Sequence, residues 1–178
     1  MHFELLAREK KYRGKIVDLT VDRLKYPSGT ETVREIVEHP GGAVVVALFE
    51  NNDLLLIKQY RHPFAKEVIE LPAGKLDKGE DPLHCAQREL QEETGYASTE
   101  WKKLTAIYTT PGFCNEVLHI YEAKNIYLSG KGQALEEGEA SIRLLRVPMN
   151  DALAMIERQE IVDGKTIVGI LMSEGGMK

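Results

Sequence analysis

Residues 70–96 read ELPAGKLDKGEDPLHCAQRELQEETGY. Both ends of a helix are spelled out in this stretch. Asp81 supplies a side-chain acceptor at the N-cap, and Pro82 follows at the first helical position, where no backbone N–H is needed. Gly95 suits the left-handed residue that ends a helix. The spacing predicts a helix over about residues 82–94. At about 100° per residue, with Glu89 set at zero, Glu93 falls at about 40° and Glu92 at about −60°. Leu83, Ala86 and Leu90 cluster at about 60–120°. One flank is therefore apolar and packs on a sheet, and the adjoining flank carries three carboxylates aimed at one small region.

An acidic helical flank is usually a face turned to solvent. Two features argue otherwise here. Glu92 and Glu93 stand at the helix C-terminus, where the macrodipole disfavours anions. The carboxylates also border the buried flank instead of opposing it, and like charges three or four apart repel. A hard divalent cation removes both objections. Carboxylate oxygens without His or Cys partners suit Mg²⁺ or Mn²⁺, not zinc. A cation held by a few carboxylates can reach substrate phosphates, an arrangement for phosphoryl chemistry.

The rest of the chain is consistent with one ordinary domain and a small appendage. The full chain has 178 residues, 43% apolar and 29% charged, with a formal net charge of −5. No Lys/Arg run exceeds two residues, which argues against a dedicated nucleic-acid binder. No apolar run approaches the roughly 18 residues of a membrane span, and the first residues lack the apolar core of a secretory signal. Cys85 and Cys114 are too few for a disulfide framework, so reduced thiols and a cytoplasmic location are expected.

Residues 14–39 read as a β-hairpin with a turn at PSGT, 27–30. PGG at 40–42 marks a boundary. The expected organisation is an arm over residues 1–40 that serves as a dimerisation element, and a catalytic domain over 41–178. Two nearly all-apolar runs, 43–49 and 54–61, read as buried strands. KEVIELP, KKLTAIYTT, EVLHIYEAKNI and SIRLLRV read as further strands. The patterns MNDALAMIERQEI and KTIVGILMSE read as closing helices. Strands dominate around one central helix, which predicts a mixed α+β domain.

The spacing Gly74, Glu80, then Arg88-Glu89-Leu90-Gln91-Glu92-Glu93-Thr94-Gly95-Tyr96 resembles the Nudix box of the Nudix hydrolases. Seven positions of that box demand one residue type each, and all seven match. At roughly 6% usage per residue type, chance gives such a match in fewer than about one window in 10⁸. The single departure is Tyr96, where an aliphatic residue is commoner. The resemblance implies a mixed β-sheet sandwiched between helices, with an N-terminal β-hairpin arm.

The resemblance also implies roles. Glu89, Glu92 and Glu93 would bind the divalent ions, Mg²⁺ or Mn²⁺ and more than one per site, with the carbonyl of Ala73 as a further ligand. Gly74, Glu80 and Arg88 would support the box, and Glu70 is a candidate partner for Arg88. The reaction would be hydrolysis of a nucleoside diphosphate linked to another moiety. Features outside the box are similar to the ADP-ribose pyrophosphatase subgroup. They are Pro111, fifteen residues past the box, QYR ending at Arg61, the segment VREIVEHPGGAVVVAL with Arg34, and the appended hairpin. Arg61 and Arg34 are thus candidate phosphate contacts. In such enzymes the arms build a homodimer in which an aromatic from one arm stacks on the adenine in the other subunit's site, so Tyr12 or Tyr26 is expected there. For the base, the loop GQALEEGEASI offers Glu139 first and Glu137 second, ahead of Glu136. Glu93 is the box residue that joins the catalytic set.

These readings give Mg²⁺-dependent cleavage of ADP-ribose to AMP and ribose 5-phosphate, with no nucleic-acid or membrane partner. The alternatives are a hydrolase of another nucleoside diphosphate sugar, such as GDP-mannose, and a non-catalytic module that binds ADP-ribose. Modules of the second kind often have decayed boxes, and this box keeps every acidic position.

Overall fold

The computed structural model describes residues 3–173. The chain divides into two compact units. One comprises the chain up to Gly41 together with Ile107–Val117, and the other comprises Gly42–Ala106 and the chain from Leu118 onward.

The first unit is a three-stranded antiparallel sheet of β1 (Glu4–Arg13), β2 (Asp18–Lys25) and β3 (Glu31–Glu38) in sequence order. The β2–β3 hairpin turns at 26–30, where Gly29 has φ 89° and its N–H donates to the Tyr26 carbonyl at 2.8 Å. No apolar alternation announces β1. Its residues are mostly charged and exposed, and its pairing with β2 is interrupted by two bulges. What fastens it is polar. Arg8 makes a two-pronged bond to Asp22, 2.7 Å on each prong, and Asp22 is only 4% exposed.

The second unit is built around β4 (Gly42–Leu48), every residue of which is buried. Along one edge β4 pairs in parallel with β10 (Val117–Lys124), whose neighbour is β9 (Glu100–Tyr108). Its other edge is shared. The tip pairs with β5 (Asp53–Arg61) through Ala47 and Leu48, and the start pairs with β7 (Ala73–Lys75). β5 then pairs with β6 (Lys66–Glu70) and with β12 (Arg143–Pro148). Short β8 (Tyr96–Ala97) and β11 (Tyr127–Leu128) pair separately.

Three helices complete the described chain: α1 (Pro82–Thr94), α2 (Met149–Glu157) and α3 (Gly164–Met172). Alternation along β4 sets which helix each side chain meets. Ala43, Val45 and Ala47 pack with Cys85, Ala86 and Leu90 of α1. On the opposite face Gly169 of α3 lies so close to Leu71, Val46 and Ile120 that a Cβ there would stand 2.6 Å from Leu71. The expected mixed sheet between helices is the arrangement found. The closing helical pattern ended at Glu174, which lies outside the described residues; α3 ends at Met172. No helix among the described residues is long and apolar enough to cross a membrane.

Candidate active site

Local chemistry places α1 where its caps predict. The Asp81 carboxylate accepts from the N–H groups of Leu83 and His84, Pro82 opens the helix, and Gly95 closes it with φ 77°. Leu83 packs against the core beside Ala86 and Leu90, and so does Tyr96. The Tyr96 ring meets Phe49 edge-on at 5.4 Å, so the aromatic departure from the box is accommodated by packing.

Arg88 stands at the centre of the acidic flank. Its Nε and Nη2 donate to the two oxygens of Glu80 at 3.0 and 3.1 Å, and Nη1 donates to Glu89 at 2.6 Å and Glu92 at 3.0 Å. The guanidinium holds the Glu80 carboxyl well below the usual range, at about 2. Glu93 turns instead to the Ala73 N–H, accepting at 2.9 Å. Glu89 and Glu93 are 7% and 2% exposed. Burial pushes the Glu93 carboxyl up to about 8, and the charges of Glu89 and Glu139 add to the rise. Burial also raises Glu89 in spite of its bond to Arg88. Buried Cys85 is an inert packing thiol, pushed up to about 12 by burial.

Among the described residues, no three His, Cys, Asp or Glu side chains are already gathered as a metal ligand set. The reason is visible: Arg88 takes Glu89 and Glu92, and Ala73 takes Glu93. The donor chemistry nevertheless fits a hard cation. The three side chains offer oxygen only, two of them are buried with raised carboxyls, and the arginine beside them has a second carboxylate, Glu80, to hold it.

The expected pairing of Glu70 with Arg88 is corrected by the structure. Glu70, 2% exposed, is gripped by Arg61 through Nε and Nη2 at 2.7 Å each, and by Lys165 at 2.5 Å. β6 carries Glu70 toward β5 and the first turn of α3, and Arg88 takes Glu80 instead. The Arg61 charge also works against the upward shift of the Glu93 carboxyl. Lys165 and its second partner Asp163, at 3.0 Å, escaped the sequence reading. The DGK at 163–165 signals a helix start, but its contact with Glu70 spans 95 positions.

The glutamate loop forms a single 3₁₀ turn, Glu137–Glu139, capped reciprocally by Glu136 and Glu139. Glu139 is partly buried and Glu137 exposed. The Glu139 charge adds to the upward shift of the Glu89 and Glu93 carboxyls.

Arg34, Tyr12, Tyr26 and Pro111 belong to the first unit. Arg34 donates to the Tyr26 hydroxyl at 2.8 Å, and the Tyr26 ring meets Phe3 edge-on at 5.1 Å. Tyr12 is 58% exposed. Pro111 opens the turn whose Phe113 and Cys114 N–H groups donate to the Thr110 carbonyl.

A family model described as the NUDIX domain matches residues 39–167. An ADP-ribose pyrophosphatase from Bacillus subtilis (strain 168) is 39% identical over 165 residues, covering 93% of this chain and 89% of that protein. A methanol dehydrogenase activator from Bacillus methanolicus is 40% identical over 165 residues, with the same 93% and 89% coverage. A crystal structure of an ADP compounds hydrolase matches with a TM-score of 0.83 over 97% of this chain and 92% of its own, at 20% identity, a likeness of fold.

Proposed function

The chain belongs to the NUDIX domain family, and from that footing we infer that it hydrolyses ADP-ribose at its diphosphate, giving AMP and ribose 5-phosphate. The substrate is suggested by the ADP-ribose pyrophosphatase relative, which matches nearly the whole chain. The observation that carries the chemistry is the carboxylate flank of α1, where Glu89 and Glu93 lie buried beside Glu92 and Arg88 is held by Glu80.

Glu89, Glu92 and Glu93, with the Ala73 carbonyl, would hold divalent cations, Mg²⁺ or Mn²⁺ and more than one, which would supply charge neutralisation at the diphosphate and activation of water. Arg88 withdraws onto Glu80 and keeps that carboxylate from competing. Arg61, its guanidinium plane set by Glu70, binds the diphosphate through the donor edge that Glu70 leaves free. Glu139 accepts a proton from the attacking water; the new P–O bond forms as the bridging P–O bond breaks. Glu137 is the second candidate for that role.

In the homodimer, Arg34 and Pro111 are candidate substrate contacts, and Tyr12 or Tyr26 of one arm would stack on the adenine in the other subunit's site. Its exposed Phe3, Leu5, Ile16 and Val33 form the homodimer contact. Two free cysteines fit a cytoplasmic enzyme.

Product release from a panel of nucleoside diphosphate compounds with Mg²⁺ or Mn²⁺ tests the reading. AMP from ADP-ribose at the highest kcat/KM is expected. Faster release of GMP from GDP-mannose would replace the substrate. Binding of ADP-ribose without turnover would make the chain a non-catalytic module.

A further inference from the structure

The helix that bears Glu89, Glu92 and Glu93 ends beneath a loop. The last carbonyls of a helix have no partner within it. Here the Glu92 carbonyl accepts from the Ala134 N–H at 2.8 Å, the Glu93 carbonyl from Gln133 Nε2 at 2.6 Å, and the Gly95 carbonyl from the Ser129 N–H at 2.9 Å. In return Gln91 Nε2 donates to the Gly132 carbonyl at 2.9 Å. The contact is close enough that a Cβ on Gly95 would stand 3.2 Å from the Gly132 backbone.

The same loop is held again where it rejoins the sheet. The Tyr60 N–H donates to Ser141 Oγ at 3.3 Å, Ile142 is buried, and its N–H donates to the Glu139 carbonyl at 2.8 Å. Only residues 135–140 lie between the two fastenings, and they contain the Glu137–Glu139 turn. Water could satisfy the carbonyls of an exposed helix end. Here two glutamine side chains reach in opposite directions, one from helix to loop and one from loop to helix, and clasp the two together. Gln91 occupies the box position that the family motif leaves open.

We propose that Gln91 and Gln133 are positioning residues that clasp the Glu139 loop to the C-terminus of the metal-binding helix, so that base and metal ligands stay in one fixed relation. The proposal rests on Glu139 being the base. A base on a short loop must be ordered before each proton transfer, and a clasp supplies that order in advance.

The test uses the full chain with ADP-ribose and saturating Mg²⁺. Gln91→Ala/Gln133→Ala and the size-conserving Gln133→Glu are compared with wild type, each also in a Glu139→Gln background. Expected are a fall in kcat of about tenfold, within the range that slight misplacement produces, an unchanged KM, and faster amide exchange over residues 129–140 but not over 82–90. In the Glu139→Gln background the same changes add no further loss, because the group they position is already gone. Wild-type kcat and exchange in both clasp variants would overturn the proposal. So would a loss that persists in full in the Glu139→Gln background, with the base reading left intact. Full turnover by Glu139→Gln alone would remove the base reading and the clasp with it.

Discussion

Glu89 occupies the space in which a side chain on Gly74 would stand: a Cβ built on Gly74 falls onto the Glu89 carboxyl group. Gly74 is paired with Ala43 in the β7–β4 ladder and has no positive φ. This glycine is therefore required for close approach and not for backbone freedom. The strand that leads into the box and the helix that carries its carboxylates are fitted to each other at that point.

Gly74→Ala should leave the fold in place and displace Glu89. A fall in kcat of about 10²-fold is expected, the cost of misplacing a reacting group by about 1 Å. Circular dichroism melts and turnover at saturating Mg²⁺ check this, and wild-type turnover would contradict the fit described.

Glu93→Gln keeps an acceptor for the Ala73 N–H but no longer places a charge in a buried site that resists one. Most activity should be lost. The melting temperature without metal should hold or rise, and the stabilisation conferred by added Mg²⁺ should shrink. Near-normal turnover by this variant would mean that α1 is not the metal helix.

Glu70 lies between Arg61 and Lys165. Removing one partner of a buried ionic group costs about 3–5 kcal/mol, so Glu70→Gln should be strongly destabilised in urea melts. Burial would raise the Glu70 carboxyl, but bonds to Arg61 and charge from Lys165 outweigh it and the net shift is downward from 4.5. A depressed carboxyl contributes its stability above the unfolded value and loses it as pH falls toward the folded one. The gap between wild type and Glu70→Gln should therefore be full at pH 6 to 7, roughly two units above that value, and narrow below about pH 4. A gap that is independent of pH would show that the charge on Glu70 is not what matters.

Glu139→Gln should lower kcat by about 10²–10⁴-fold, the range for lost acid–base catalysis, with metal and substrate affinity nearly unchanged. Glu137→Gln should cost far less. Equal, small effects from both would move the base elsewhere, Glu93 included.

The first unit leaves Phe3, Leu5, Ile16 and Val33 exposed, apolar surface that a second subunit would cover. Light scattering at micromolar concentration should give twice the 20.0 kDa of one chain. A fully active monomer would rule out the homodimer.

What the sequence alone determined was local in origin. The bounds of α1 followed from Asp81, Pro82 and Gly95, because capping acts between residues a few positions apart. The buried strand Gly42–Leu48 followed from an unbroken apolar run. The acidic flank followed from helical periodicity, and Arg88 does offset its repulsion. The tertiary structure decided what depends on sheet order. β1 has no apolar alternation to announce it and is held by Arg8 on Asp22. Glu70 was open to any nearby arginine until β5, β6 and α3 brought Arg61 and Lys165 to it. The bonds from Gln91 and Gln133 bridge 41 and 40 positions, and no local rule pairs a glutamine with a carbonyl that far along the chain. Periodicity shows which face of an element is buried, but only the packed fold shows which side chain waits on the other side.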